Sequence, residues 1–119
     1  MIYHQLSGLL TTDEGNKIGK GYAGHGEGKN NPSMERIHDI GPLPKGTYYI
    51  GKVIDSPHTG PFTIILIPDK DNKMYGRGDF RMHGDSIKEP GTASNGCIIM
   101  PRSVREKVYE GEDKIIEVV

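Results

Sequence analysis

Short apolar runs bounded by turn residues dominate this chain of 119 residues, and long stretches with the 3.6-residue period of a helix are missing. Residues 6–11 and 17–23 read as two short strands joined by the turn Thr12-Asp13-Glu14-Gly15-Asn16. Residues 24–32 are rich in Gly and Asn, show no periodicity and read as a loop, and residues 34–40 hold one helical turn at most. The segment Gly41-Pro42-Leu43-Pro44-Lys45-Gly46 is a rigid turn, because both prolines fix φ and lack an N–H to give to a sheet. Residues 47–53 form a β-rich strand. Residues 62–67 are the most hydrophobic run, set between Pro61 and Pro68, and read as a buried strand. Residues 80–83 alternate apolar and polar and deliver His83 at a strand end. Only residues 103–110 predict a helix, with Ser103 as N-cap and Glu106 at the capping-box position. Residues 114–119 close as a strand. The architecture predicted is mainly β, with about six to eight short strands and one short helix. With no repeat, low-complexity tract or linker, residues 1–119 form a single domain.

Composition sharpens this picture. The 17 Gly and 8 Pro are typical of short strands joined by tight loops. A net charge of −1 gives no electrostatic case for nucleic acid or an anionic membrane. No apolar run is long enough for a membrane span, so no membrane insertion is expected. Met1-Ile2-Tyr3-His4-Gln5 does not open like a secretory signal, so delivery outside the producing cell is expected to use another route. The single Cys leaves no partner for an intramolecular disulfide and excludes a Cys-rich zinc site.

That cysteine lies in the most informative segment. His83-Gly84-Asp85-Ser86 is followed by a loop through Pro90-Gly91-Thr92-Ala93, and then by Ser94-Asn95-Gly96-Cys97-Ile98-Ile99-Met100. A thiol attacks as thiolate, and an imidazole within reach can take its proton. The intervening loop is full of turn residues, so the strand ends carrying His83 and Cys97 can be neighbours. Gly96 allows close approach of substrate to the backbone, and the N–H groups of Gly96 and Cys97 are candidate oxyanion donors. The residues alone also fit a plainer reading, in which Cys97 opens a buried strand and His83 is a hydrogen-bonded loop histidine.

Ser94-Asn95-Gly96-Cys97 with His83-Gly84 upstream resembles the L,D-transpeptidase signature. It is similar above all to the small L,D-transpeptidase-related effectors of type VI secretion systems. The likeness also takes in Leu6-Ser7-Gly8-Leu9-Leu10-Thr11, Gly21-Tyr22-Ala23-Gly24, Asn30-Asn31-Pro32 and the turn from Gly41 to Tyr48. The resemblance implies a compact β-sandwich catalytic domain with one or two short helices. It implies a cysteine acyl-enzyme mechanism at the bond between diaminopimelate and D-alanine in the tetrapeptide stems of peptidoglycan, with no metal or organic cofactor. Cys97 is then the nucleophile and His83 the base, oriented by a backbone carbonyl near the His-Gly element. Gly84, Ser94, Asn95 and Gly96 shape the site, and Arg102 and Asp85 are candidates for binding substrate. The expected partners are stem peptides, a secretion apparatus and an immunity protein, with action in the periplasm of a target cell.

Two departures from the signature stand out. Asn95 replaces a second His, and Ile99 replaces an Arg that often follows two residues after the Cys. Arg102 is the nearest replacement for that Arg as a carboxylate binder. Two competing functions remain: a peptidoglycan-binding module without turnover, and a Cys–His hydrolase of another acyl substrate. Other signals carry less. Gly19-Lys20-Gly21-Tyr22-Ala23-Gly24 matches a dinucleotide-binding pattern, but no helix follows it. His4, His25, His38 and His58 have no metal-ligand spacing. Asp79, Asp85 and Glu89 read as solvated turn carboxylates, and Arg77 and Arg81 as surface ion-pair partners framing Asp79.

Overall fold

The computed structural model describes residues 1–119. Its centre is an antiparallel hairpin of β5 (Gly46–Ser56) and β6 (Gly60–Pro68). These are the stretches richest in β-branched and aromatic residues, which suit a pleated, half-buried surface. The Ser56 hydroxyl accepts from the N–H groups of His58 and Thr59 at 3.1 and 3.2 Å and so closes the turn. β9 (Ile115–Val118) pairs with the other side of β5. It is followed outward by β1 (Ile2–Tyr3), β2 (Leu9–Thr11) and β3 (Lys17–Lys20). Beyond β6 come β7 (Arg81–His83), β8 (Ile98–Ile99) and β4 (Tyr22–Ala23). The result is one nine-stranded mixed sheet in the order β3-β2-β1-β9-β5-β6-β7-β8-β4.

The two end strands of this sheet, β3 and β4, are consecutive in the chain and separated by Gly21 alone. The Gly21 N–H donates to the Gly8 carbonyl at 2.9 Å, and a Cβ on Gly21 would lie 1.6 Å from the Ile99 carbonyl oxygen. The sheet therefore rolls on itself, and the layers of the expected sandwich belong to one continuous sheet. Inside lie Tyr3, Leu10, Leu43, Tyr48, Ile64, Met82, Ile98 and Ile116, each with no exposed surface.

The mainly β class and the single α-helix match expectation, with differences in detail. The strands number nine: residues 17–23 split at Gly21 into β3 and β4, the two-residue β1 is too short to show an alternation in sequence, and β8 follows Cys97. Residues 5–8 form a turn before β2, with the Gly8 N–H donating to His4 at 2.8 Å, and this leaves Leu6 exposed. Helix α1 (Arg102–Glu110) starts one residue earlier than predicted. Pro101 is its N-cap, and no side-chain cap forms. Glu106 instead pairs with Arg102 at 3.4 Å, one turn away. α1 packs Val104 and Val108 into the core beside β6 and β7.

Candidate active site

β7 and β8 run parallel, with Met82 opposite Ile98 and His83 opposite Ile99. Met82 and Ile98 are both fully buried in the core. Side chains alternate along a strand, so Arg81 and His83 face away from that core. Carried one residue back from β8, the same alternation puts Cys97 on the face of His83. The sheet register thus brings the two residues to one side of two adjacent strands.

Both line a cleft of about 530 Å³, together with Asp79, Phe80, Arg81 and Asn95. His83 is 4% exposed, and its Nδ1 lies 2.9 Å from the Gly84 carbonyl oxygen. A carbonyl only accepts, so Nδ1 carries the hydrogen and Nε2 of the neutral ring holds a lone pair. The expected carbonyl partner is in place. No hydrogen bond joins His83 to Cys97: the thiol points to the carbonyl of Asp79, 3.9 Å away. Burial is the first cause holding the His83 imidazole below its ordinary value, and the cations of Arg105 and Arg81 add to it. Burial likewise pushes the Cys97 thiol up, against the N–H of Arg81 and the charges of Arg81 and Arg77. The resting pair is neutral imidazole and neutral thiol.

The turn before Cys97 is tied by Ser94, which has no exposed surface. Its hydroxyl donates to the Cys97 carbonyl at 2.6 Å and accepts from the N–H groups of Gly24 and Gly96 at 2.9 and 3.0 Å. That uses the full capacity of a hydroxyl. It also engages the Gly96 N–H, one of the two expected oxyanion donors. Gly96 has φ +139°, and a Cβ there would lie 2.6 Å from Arg77 Nη2 and 2.9 Å from the Phe80 ring. Asn95 is exposed and contributes its backbone carbonyl, which accepts from Arg77 at 3.2 Å.

Arg77 corrects the surface reading. It is 7% exposed and donates to the carbonyls of Glu35, Pro42, Gly41 and Asn95 at 2.6, 2.8, 2.9 and 3.2 Å. It clamps the Pro-rich turn to the Cys97 loop. Only Arg81 pairs with Asp79, at 3.3 Å. Nothing in the spacing around Arg77 signals this burial, because its partners are backbone carbonyls distant in sequence.

A second lobe of about 1010 Å³ adjoins the first and shares His83, His58, Thr59 and Ala93 with it. Arg102 lies on its wall, held by Glu106 and stacked 4.7 Å over the Phe62 ring. Asp85 lies there too, but its carboxylate accepts from Tyr22 Oη at 2.6 Å and from the N–H groups of Ser86 and Gly91 at 2.8 and 3.0 Å. These bonds hold Asp85 below its ordinary value against the opposing cost of burial. Asp85 thus pins the loop between the strands, with Tyr22 as an anchor that the sequence reading missed. No three His, Cys, Asp or Glu side chains gather as a metal-binding group. No helix is long and apolar enough to cross a membrane.

No curated protein and no solved structure matches the chain. The family model of the Tlde1 domain matches residues 17–114, a span that contains His83, the Ser94 turn, Cys97 and all of α1. On that match, this chain belongs to the Tlde1 domain family of type VI secretion effectors.

Proposed function

We propose that the protein is a cysteine L,D-carboxypeptidase that removes D-alanine from the tetrapeptide stems of peptidoglycan and also exchanges it for other D-amino acids. The observation that carries this reading is the oriented His83, with a lone pair on Nε2, in one cleft with the sole thiol. The thiol first rotates away from the Asp79 carbonyl. Nε2 then takes its proton, and the sulfur attacks the carbonyl carbon on the diaminopimelate side of the scissile bond. The Cys97 N–H is the remaining donor of the expected oxyanion pair. As the tetrahedral intermediate collapses, the C–N bond breaks. The imidazolium gives its proton to the D-alanine nitrogen, leaving a thioester. Water, deprotonated by His83, attacks the thioester, releases the tripeptide acid and restores the thiol. A D-amino acid attacking in place of water gives exchange.

Family membership supports delivery by a secretion apparatus into a rival cell. Stem peptides lie in the periplasm, so that compartment is the proposed place of action, and an immunity protein covering the Cys97 cleft would protect the producer. Incubation with purified tetrapeptide muropeptides, followed by mass spectrometry, tests the reaction. Loss of one alanine from the stem, absent with Cys97→Ala, is expected. Intact stems in the presence of folded protein would instead favour a binding role or another acyl substrate.

A further inference from the structure

Arg105 lies on the inward side of α1 with Val104 and Val108, and is only 6% exposed. Its Nε donates to the Met100 carbonyl at 3.0 Å, and its Nη1 donates to those of Pro61 and Phe62 at 2.9 and 2.7 Å. These bonds fix the plane of the guanidinium. Nη2 makes no hydrogen bond within the protein. It faces Gly84, where an added Cβ would lie 2.9 Å away. With no side chain at Gly84, that nitrogen opens onto the second lobe, which Arg105 and His83 both line. Lys20, Lys88 and Arg102 add positive charge there, beside His58 and the already engaged Asp85. No carboxylate of the protein meets Arg105.

We propose that Arg105 Nη2 anchors the free carboxylate of the residue that leaves, so that the cleft selects a chain-terminal residue over an internal one. The inference rests on the carboxypeptidase reading and specifies its substrate. Cys97 lines the first lobe, Arg105 the second, and His83 both. The leaving nitrogen must reach His83 to be protonated, and a terminal carboxylate lies one carbon beyond that nitrogen, directed into the second lobe. A planar, fixed guanidinium suits such a group. An internal residue offers only a neutral carbonyl there. Arg105 thereby fills the role left open by Ile99, from a helix rather than from the strand after Cys97.

A bound carboxylate also changes the field on His83. The charges acting on the ring are Arg105, Arg81 and Asp85, and Arg105 is the first of the cations. Offsetting Arg105 moves the titration of His83 upward and makes its imidazolium easier to form.

The decisive measurement follows the His83 ring by NMR across pH in the intact protein, with acetyl-D-alanine or acetyl-D-alaninamide added. The acid is expected to raise the His83 midpoint and the amide to leave it in place. Arg105→Lys removes the planar fork, and Gly84→Ala puts a methyl 2.9 Å from the present place of Nη2, which must shift or be covered, so one variant serves if the other does not fold. Both should lose the response. In parallel, stems with a free terminus should be cleaved about 10- to 100-fold better than amidated ones, the range for losing a charged hydrogen bond, and this preference should collapse in the variants. Equal effects of acid and amide on wild-type His83 would overturn the anchor, even if stems are cleaved. An acid-specific response without stem cleavage would keep the anchor and overturn the carboxypeptidase reading.

Discussion

The Ser94 hydroxyl donates to the carbonyl of Cys97 at 2.6 Å, so the residue that carries the thiol is held by a side chain three positions earlier. The same oxygen accepts the Gly96 N–H and reaches across the fold to Gly24. Ser94→Ala should leave these groups unpaired in a buried place and destabilise the protein by about 1–3 kcal/mol. Urea denaturation measures that cost. The turnover of the folded fraction should fall as well, because the turn that aims Cys97 loses its tie. A variant as stable and as active as wild type would show that backbone contacts alone hold the turn.

Cys97→Ala should abolish stem cleavage, by on the order of 10⁴-fold or more, with an unchanged fold. His83→Gln should cost about 10²–10⁴-fold through loss of the base. Kinetics on tetrapeptide stems, with circular dichroism as the folding control, checks both. Retained cleavage by the Cys97 variant would place the nucleophile elsewhere.

The neutral resting pair has a pH signature. Burial holds His83 below 6.5 and Cys97 above 9.0. Activity should therefore keep its acid limb below 6.5, and alkylation of the free thiol should rise only toward and above 9.0. An imidazolium–thiolate pair would alkylate fast at about pH 6, well below an ordinary thiol, and that result would contradict the assignment. Stability follows the same shifts. The unfolded chain binds the His83 proton more readily, so this contribution is present above 6.5 and lost as pH falls through the lower folded value. For Cys97 the folded state keeps its proton longer, so that contribution is present below 9.0 and lost as pH rises through the higher folded value. Urea midpoints should be flat between those two limits and decline outside them, as far as these two groups are concerned.

Compartment should decide toxicity. Expression in the bacterial cytoplasm should be tolerated, whereas fusion to a periplasmic signal should cause swelling or failed division. Growth curves and microscopy read this, with Cys97→Ala as the harmless control. Equal toxicity in both compartments would point to a target other than the cell wall.

The sequence identified strands β5 and β6, helix α1 and the nearness of His83 to Cys97, because each has a local mark: β-branched runs, prolines at the boundaries, a loop of turn residues between the two strand ends. It did not identify Arg77 or Arg105. Both are cations buried against backbone carbonyls, and a carbonyl has no residue identity that a sequence can display. β1 was missed for a related reason: it has two residues and lies between the nearby β2 and the distant β9. The Ser103 cap failed because Pro101 starts the helix earlier and Glu106 finds a partner in Arg102.

The last strand of the chain, β9, lies in the middle of the sheet, between β1 and β5. The Met1 amine pairs with Asp113, 112 residues away, beside that strand. Without residues 115–118 the sheet would be cut into two pieces, β3-β2-β1 and β5-β6-β7-β8-β4, each with a new open edge. Contacts so distant in sequence close late and slowly. A chain still being synthesised, or one still threaded through a narrow passage, would thus carry His83 and Cys97 on a sheet piece whose β5 edge is bare. The sheet would be completed across its middle only once the entire domain is free.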